Sequence, residues 1–199
     1  MEGASLLARD LACRRGDRLL FAGVSFTLDP GEALQVVGAN GTGKSSLLRI
    51  LAGLLRPFAG AVEKTGPVAL LDGNLPLDGH LPLGRALAFW ERIDGVNEAL
   101  GWGPSGLVDV PVRFLSTGQR KRLALINAWL EERPVLVFDE WAADQDPTFR
   151  RIFYTELLPD LKRLGKTIIV ISHDDRYFDV ADQLVRMNAG KVLTELQPA

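Results

Sequence analysis

One glycine-rich segment, set between an apolar strand pattern and a helical pattern, constrains the fold of this chain more than any other feature. Residues 38–45 read Gly-Ala-Asn-Gly-Thr-Gly-Lys-Ser and match G-x-x-x-x-G-K-[ST]. Residues 33–37 are predicted to form a buried strand, and residues 46–55 carry apolar side chains at helical spacing. Loop N–H groups at the N-terminus of a helix attract an anion. The sequence therefore predicts a phosphate-binding loop inside an α/β fold.

The phosphate ligands are expected to come from this loop and from the helix that follows it. The Lys44 ammonium would reach the β- and γ-phosphates, and the Ser45 hydroxyl would bind Mg²⁺. The alternative, a glycine-rich turn without a ligand, is disfavoured by the strand and helix on either side. The expected nucleotide-binding residues here are Gly38, Asn40, Gly41, Thr42, Gly43, Lys44, Ser45 and Ser46.

Composition limits the class of protein. The 199 residues are 47% hydrophobic and 24% charged, which is typical of a soluble globular chain with one main core. The net charge of −2 disfavours nucleic acid as the dominant partner. The single cysteine, Cys13, fits a reducing compartment and is interpreted as a small buried residue. No apolar run is long enough to span a membrane, so we expect no crossing by this chain.

The order of patterns predicts an α/β sheet covered on both faces. Antiparallel strands are expected over residues 5–32, and buried strands over 67–71, 134–138 and 167–171. Helices are predicted at 83–93 and 119–132, and a closing hairpin at 185–193. The expected division is a sheet core with a β subdomain (1–71 and 133–199) around a helical subdomain (72–132).

A pair of carboxylates follows the strand at 134–138. Asp139, at the carboxyl end of a strand beside the phosphate loop, is expected to hold Mg²⁺, and Glu140 to act as the general base on the attacking water. Two solvated carboxylates are the alternative. His173 follows the strand at 167–171, where a neutral imidazole can hydrogen-bond the γ-phosphate. His80 is interpreted as a surface residue without a role.

The order of these motifs, with Leu-Ser-Thr-Gly-Gln at 115–119 between them, resembles the nucleotide-binding domain of the ATP-binding cassette (ABC) superfamily over essentially the whole chain. The resemblance implies a P-loop NTPase fold with a mostly parallel sheet, and an ATPase that uses ATP and Mg²⁺. It also implies a second copy of the chain as partner, because in the family Ser116 and Gly118 would act on ATP held by the other subunit, with the helix at Gln119 aimed at the γ-phosphate. Asp146 matches the acidic residue of the D-loop.

Two finer resemblances differ along the chain. Residues 13–21 and 79–87 are similar to the ATP-binding subunit of the haem exporter of cytochrome c maturation. Residues 139–147 and 172–179 are similar to the ATPase half of cyclic-peptide and siderophore exporters. This difference suggests the hypothesis of a chimera joined between about residues 112 and 133. Trp141, in place of a usual proline, fits the peptide-exporter pattern.

Two positions depart from the family pattern. Arg15 stands where an aromatic residue often stacks on adenine, and its guanidinium plane is the candidate replacement. No glutamine matches the Q-loop after residue 71. Asn74, one methylene shorter, is the nearest candidate for that link to Mg²⁺.

The leading interpretation is an ATP-hydrolysing subunit that forms a nucleotide-sandwiched dimer and powers a separate integral-membrane permease for haem-type or peptide/siderophore-type export, located at the cytoplasmic face of the cell membrane. The alternatives are a recombined or designed domain without a transport partner, and a non-transport ABC clamp. A docking groove for the permease is expected at residues 74–90. At least two of Leu75, Leu77, Leu81 and Leu83 are therefore expected to be exposed, whereas burial in the subdomain core is the competing expectation.

Overall fold

The structure is a computed structural model that describes residues 5–72, 77–94, 106–130, 133–172, 180–188 and 191–196. Its strands are β1 Leu6–Arg15, β2 Arg18–Leu28, β3 Ala33–Gly38, β4 Ala59–Lys64, β5 Val68–Leu71, β6 Val135–Phe138, β7 Thr167–Ile171, β8 Gln183–Asn188 and β9 Lys191–Leu196. Its α-helices are α1 Lys44–Ala52, α2 Leu83–Asp94, α3 Thr117–Leu130, α4 Pro147–Ile152 and α5 Leu158–Arg163. A π-helical turn, Phe153–Leu157, joins α4 to α5.

Two sheets form the larger of two compact units, which comprises Met1–Leu70 and Pro134–Ala199. The first sheet has the order β2-β1-β4, and both of its pairings are antiparallel. The second has the order β5-β6-β7-β3-β8-β9, with parallel pairing of β3 to β7, β3 to β8 and β6 to β7, and an antiparallel β8–β9 hairpin. The predicted α/β class is confirmed, and β3 and β6 end at the same edge because both run parallel to β7.

The main core explains why these strands read as continuous apolar runs. Val135 and Val137 of β6 and Ile169 and Ile171 of β7 are almost fully buried in one hydrophobic cluster. Leu47, Leu48 and Leu51 of α1 belong to the same cluster. A parallel strand covered on both faces has no solvent side to carry polar residues. The helix after the phosphate loop is therefore held rigidly on the sheet.

Helix α1 begins and ends earlier than the sequence indicated. It starts at Lys44, two residues before the predicted start, and ends at Ala52, although its apolar pattern continues to Leu55. Gly53 adopts a left-handed conformation with φ 82°, and the Leu54 N–H donates to Arg49 O at 2.8 Å. This hydrogen bond closes the helix as a Schellman motif. Leu54 is consequently 69% exposed.

The second compact unit, Leu71–Arg133, contains α2 and α3 and has its own core. Leu83, Leu87, Val112, Leu115 and Leu123 are buried together. Two chain segments are joined by hydrogen bonds from Leu83 N to Val110 O (2.9 Å) and from Val112 N to Leu81 O (3.1 Å). Helix α3 starts two residues earlier than predicted, at Thr117.

The expected exposure of the leucines at 75–83 is wrong. Leu83 is 2% exposed, and Leu77 and Leu81 are partly buried against the core of the second unit. Leu75 lies outside the described residues, so at most one of the four can be exposed. The packing of Leu77, Leu81 and Leu83 within their own unit favours the competing expectation of burial in the subdomain core over a docking groove at residues 74–90.

Candidate functional site

The phosphate-binding loop closes around the lysine that follows it. Lys44 is 5% exposed, and its Nζ donates to Gly38 O at 2.8 Å and to Ala39 O at 3.2 Å. Thr42 Oγ1 also donates to Ala39 O, at 2.9 Å. Asn40 and Gly41, at the tip of the loop, are exposed. The ammonium group is thus held at the start of α1, where positive charge and loop N–H groups favour an anion.

Ser45 and Asp139 are brought together from different elements. Ser45 Oγ donates to Asp139 Oδ1 at 3.3 Å. Hydroxyl and carboxylate oxygens are hard ligands, and Mg²⁺ is commonly bound by one or two such protein groups, substrate phosphates and waters. The pair fits Mg²⁺ by donor chemistry and by proximity. Asn74, the third predicted metal ligand, lies outside the described residues.

Glu140 adopts a left-handed backbone conformation that is uncommon for residues other than glycine. Its φ is 48°, in the left-handed region, and it precedes a 3₁₀ turn formed by Trp141–Asp144. The Glu140 Oε1 lies 4.0 Å from Lys44 Nζ, and the side chain is 42% exposed. The half-exposed carboxylate therefore lies at ion-pair distance from the buried ammonium of the loop.

The aromatic cluster beneath Glu140 was not identified from the sequence. Trp141 is fully buried, and its ring lies 4.5 Å from that of Phe153 and 5.9 Å from that of Phe138 (centroid distances). Such tilted and edge-on arrangements stabilise aromatic pairs. Arg150 fixes the chain after Trp141, because its Nε donates to Ala142 O at 3.1 Å. Together they anchor the backbone on which Glu140 lies.

Asp146 has a local structural function. Its Oδ1 accepts a hydrogen bond from Phe149 N at 2.8 Å, and Pro147 occupies the first position of α4. This is an N-cap followed by a proline at N1. The nucleotide-related function expected for Asp146 remains a proposal.

Ser46 contacts the end of strand β1. The Cys13 thiol is 3% exposed, and burial raises its pKa, while a hydrogen bond with Ser46 and the positive charge of Arg15 act in the opposite direction. Arg15 itself is exposed at the turn into β2. This places the β1–β2 hairpin beside the first turn of α1.

The 115–119 motif lies in the second unit and forms a capping box at the start of α3. Gln119 N donates to Ser116 Oγ at 3.2 Å, and Ser116 N donates to Gln119 Oε1 at 2.8 Å. Ser116 is exposed, and Gly118 lies in the first turn of the helix. The spacing Ser-x-x-Gln was a readable signal for this helix start.

The structure describes one of the two histidines of the chain, His80. His80 is exposed, and its Nδ1 accepts a hydrogen bond from Arg113 Nη1 at 2.8 Å. His173 lies outside the described residues. The preceding residue, Ser172, is 4% exposed and accepts a hydrogen bond from Tyr154 Oη at 2.8 Å.

Comparison with known proteins decides the family. The family described as ABC transporter matches residues 21–143, a span that includes the phosphate loop, the 115–119 motif and the Asp139–Glu140 pair. The chain belongs to the ABC transporter family. As an ATP-binding member of this family, it is an ATPase.

The chain is similar to two kinds of ATP-binding protein. The chain is 57% identical over 142 residues to the cytochrome c biogenesis ATP-binding export protein CcmA of Novosphingobium aromaticivorans, covering 70% of this chain and 74% of that protein. It is 45% identical to the CcmA of Zymomonas mobilis over 90% of this chain and 82% of the relative. The ATP-binding protein SyrD of Pseudomonas syringae is 39% identical over 88% of this chain but only 34% of SyrD.

These alignments do not support a junction inside the chain. The Zymomonas relative matches on both sides of residues 112–133 in one alignment. The chimera hypothesis is unconfirmed.

Solved structures share the fold over nearly the full length. A dimeric ATP-binding cassette in a post-hydrolysis state, bound to ADP and phosphate, matches with a TM-score of 0.80 and 19% identity, covering 98% of this chain and 99% of that one. CbiO1 of Clostridium perfringens, part of an ABC transporter complex, matches with a TM-score of 0.73 and 25% identity, covering 98% and 89%. Within the described part of the chain, no helix is long and apolar enough to span a membrane.

Proposed function

We propose that this ABC ATPase hydrolyses Mg²⁺-ATP as one half of a nucleotide-sandwiched dimer and thereby drives a separate membrane permease in cytochrome c biogenesis. The observation that carries the assignment is the 57% identity to a CcmA export protein, supported by 45% identity to a second CcmA over most of the chain.

The proposed chemistry starts from the charges at the loop. The Lys44 Nζ, now bound to Gly38 O and Ala39 O, would bind β- and γ-phosphate oxygens of ATP, which carry more negative charge than peptide carbonyls. Ser45 and Asp139 would hold Mg²⁺, whose charge neutralises the phosphate oxygens. The loop residues and Ser46 would supply further hydrogen bonds to phosphate.

Glu140 is the proposed general base. Its carboxylate would accept a proton from a water molecule whose oxygen attacks the γ-phosphorus, while the bond between that phosphorus and the β–γ bridging oxygen breaks and ADP leaves. His173 would orient the γ-phosphate and this water. The 4.0 Å between Lys44 Nζ and Glu140 Oε1 supports a base beside the phosphate site.

The second copy would complete the site. Ser116, Gly118 and the start of α3 would bind the γ-phosphate held by the partner, with Asp146 beside that interface. The start of α3 at Thr117 supports this function, because the positive end of the helix dipole favours an anion. Arg15 would lie against the adenine, and Asn74 would take the place of the Q-loop glutamine. Such a dimer would act at the inner face of the cell membrane.

Genetic complementation tests the export assignment. A bacterial strain lacking its cytochrome c biogenesis ATP-binding export protein would receive this chain, and covalently bound haem in c-type cytochromes would be measured by peroxidase staining. We expect recovery with the wild-type sequence and none with Glu140→Gln at equal expression. ATPase activity of the purified chain together with failed complementation would reject the cytochrome c partner while keeping the enzyme.

Peptide export is the second candidate, because SyrD matches 88% of this chain at 39% identity. The same complementation in a strain whose SyrD-type exporter lacks its ATPase region would distinguish the two. Recovery of peptide export alone would favour this candidate.

A further inference from the structure

Arg150 is a partly buried cation of α4 to which the proposed chemistry assigns no function. Its guanidinium group reaches back along the chain, where Nε donates to Ala142 O at 3.1 Å and Nη2 donates to Gln145 O at 3.4 Å. Both carbonyls belong to residues 140–145, which we call the Glu140 turn. Hydrogen bonds from an ionised donor are stronger than those between neutral groups. One side chain therefore holds this turn at two points.

The Glu140 turn has carbonyl groups that need donors from outside it. Trp141–Asp144 form a 3₁₀ turn, and the Gln145 N–H donates to Ala142 O at 3.2 Å. The last carbonyls of a helical turn lack further partners within it, and a nearby cationic side chain can satisfy them. Trp141, Ala142 and Gln145 are each at most 4% exposed. Protein donors, rather than bulk water, must therefore satisfy most polar groups in this segment.

Helix α4 gives Arg150 a fixed origin. The Arg150 N–H donates to Asp146 O at 2.9 Å, and Asp146 also caps the helix through Phe149 N. The ring of Phe149 lies 5.8 Å from that of Trp141 (centroid distance). The same helix therefore contacts the Glu140 turn by packing and by hydrogen bonds. Because the backbone of Arg150 is held by the helix, its side chain can set the position of the turn.

The conformation of Glu140 needs such support. Its φ of 48° lies in the left-handed region. A residue with a side chain stays there only where the surrounding contacts fix the backbone on either side. The chain before Glu140 is fixed by strand β6, which is buried in the sheet. The chain after it is fixed by the Trp141 ring and by the Arg150 hydrogen bonds to the carbonyls of the turn.

We propose that Arg150 is a positioning residue for Glu140. Its two hydrogen bonds keep the Glu140 turn in the conformation that places Glu140 Oε1 4.0 Å from Lys44 Nζ. Without these bonds the turn relaxes, Glu140 leaves the left-handed region, and its carboxylate moves away from the phosphate loop. The catalytic part of this inference rests on the base function proposed for Glu140.

Crystallography of the wild type and of Arg150→Met tests the geometry. Methionine keeps an apolar stem and removes every donor of the guanidinium group. We expect Glu140 to keep its positive φ in the wild type and to adopt a negative φ in the variant, with the distance from Glu140 Oε1 to Lys44 Nζ longer than 4.0 Å. A variant in which both quantities are unchanged overturns the positioning function, whatever its activity.

Kinetics test the consequence for hydrolysis. In Arg150→Met we expect kcat for ATP hydrolysis to fall roughly tenfold to a hundredfold, as displacement of a catalytic group by about 1 Å does, with KM unchanged because the phosphate loop is intact. Arg150→Lys keeps the charge but lacks the planar fork that donates to two carbonyls, so it should recover only part of the loss. In a Glu140→Gln background, Arg150→Met should have no further effect on kcat, because both changes act on one group.

Arg151→Met is the matched control. Arg151 is the next residue of α4, carries the same charge and is exposed. Its substitution should leave kcat and the Tm unchanged. An Arg150→Met protein that loses Tm but keeps kcat, or that lowers kcat equally in the Glu140→Gln background, overturns the positioning function. Full hydrolysis by Glu140→Gln alone would instead reject Glu140 as the base, and the φ of Glu140 in the Arg150→Met crystal would still decide whether Arg150 sets the turn.

Discussion

Ser45 Oγ donates a hydrogen bond to Asp139 Oδ1 at 3.3 Å across 94 positions of the chain. Strand β3 leads to the loop that contains Ser45, and strand β6 ends just before Asp139. Because β7 lies between these two strands, the hydrogen bond passes over the end of β7. The parallel order β6-β7-β3 brings the two oxygens to one edge of the sheet. The contact unites the two parts of the proposed metal site in a single compact unit.

Replacing Lys44 with alanine should abolish most of the affinity for Mg²⁺-ATP, because the buried ammonium is the principal positive charge of the loop. Isothermal titration calorimetry measures the affinity. Lys64→Ala is the matched control, since Lys64 Nζ donates to a helix-end carbonyl, Ala52 O, at 3.1 Å and its loss should leave binding intact. Equal ATP binding by Lys44→Ala and wild type would reject the site.

Replacing Glu140 with glutamine should reduce hydrolysis by about 10²–10⁴, the usual contribution of a general base, while ATP affinity remains. The variant should therefore accumulate as an ATP-bound dimer with Mg²⁺-ATP. Phosphate release and analytical ultracentrifugation measure the two properties. A variant that stays monomeric with saturating nucleotide would contradict the two-subunit mechanism.

Ser116→Arg in the Glu140→Gln background should prevent that dimer, because a bulky cation would occupy the place of the hydroxyl proposed to bind the partner's nucleotide. Thr27→Arg, on an exposed position of β2, is the control and should dimerise normally. Sedimentation at matched concentrations compares them. Normal dimerisation of the Ser116→Arg protein would show that Ser116 does not act across the interface.

Trp141→Ala should lower the free energy of unfolding by about 3–5 kcal/mol, because it empties the centre of the buried aromatic cluster. Urea denaturation gives the value, and Trp141→Phe should cost less because it keeps one ring. We also expect lower kcat in the alanine variant, since Glu140 precedes the lost anchor. An unchanged denaturation midpoint would show that the cluster does not hold this turn.

Cys13 should react slowly with iodoacetamide in the folded protein. Burial raises the pKa of its thiol, so less reactive thiolate exists at a given pH and the reaction profile shifts to higher pH than for a free cysteine. Mass spectrometry counts the label on this single cysteine, and the urea-unfolded chain is the control. Rapid, complete labelling of the native protein at pH 8 would disprove the burial.

Much of the fold and of the candidate site could be predicted because the local sequence patterns agree with the final fold. The loop at 38–45 and the pair Asp139–Glu140 are each preceded by a buried apolar strand, so their placement followed from strand ends alone. Strand β4 was missed because its side chains are exposed or partly buried and show no alternation. Gly53 is a sequence signal for the end of α1, but Leu54 and Leu55 continue the helical pattern and so indicated a later end.

Tertiary contacts explain the remaining differences. The leucines at 77–83 resembled an exposed apolar loop, but they pack against α2 and the 107–115 segment, which lie farther along the chain. The burial of Trp141 depends on Phe153, which comes from a different helix. Neither partner can be inferred from a local window, since sequence periodicity describes one element at a time.

The capping box at Ser116 and Gln119 would affect the binding of a nucleotide at the start of α3. The Ser116 oxygen is held in place by the Gln119 N–H, while its hydrogen is still able to be donated. This hydrogen bond already restricts the rotamer of the Ser116 side chain in the free protein, so less freedom remains to be lost on binding. If Ser116 binds the partner's nucleotide as proposed, one hydroxyl serves both helix initiation and nucleotide binding, so a substitution at Gln119 would destabilise the start of α3 and weaken nucleotide binding together.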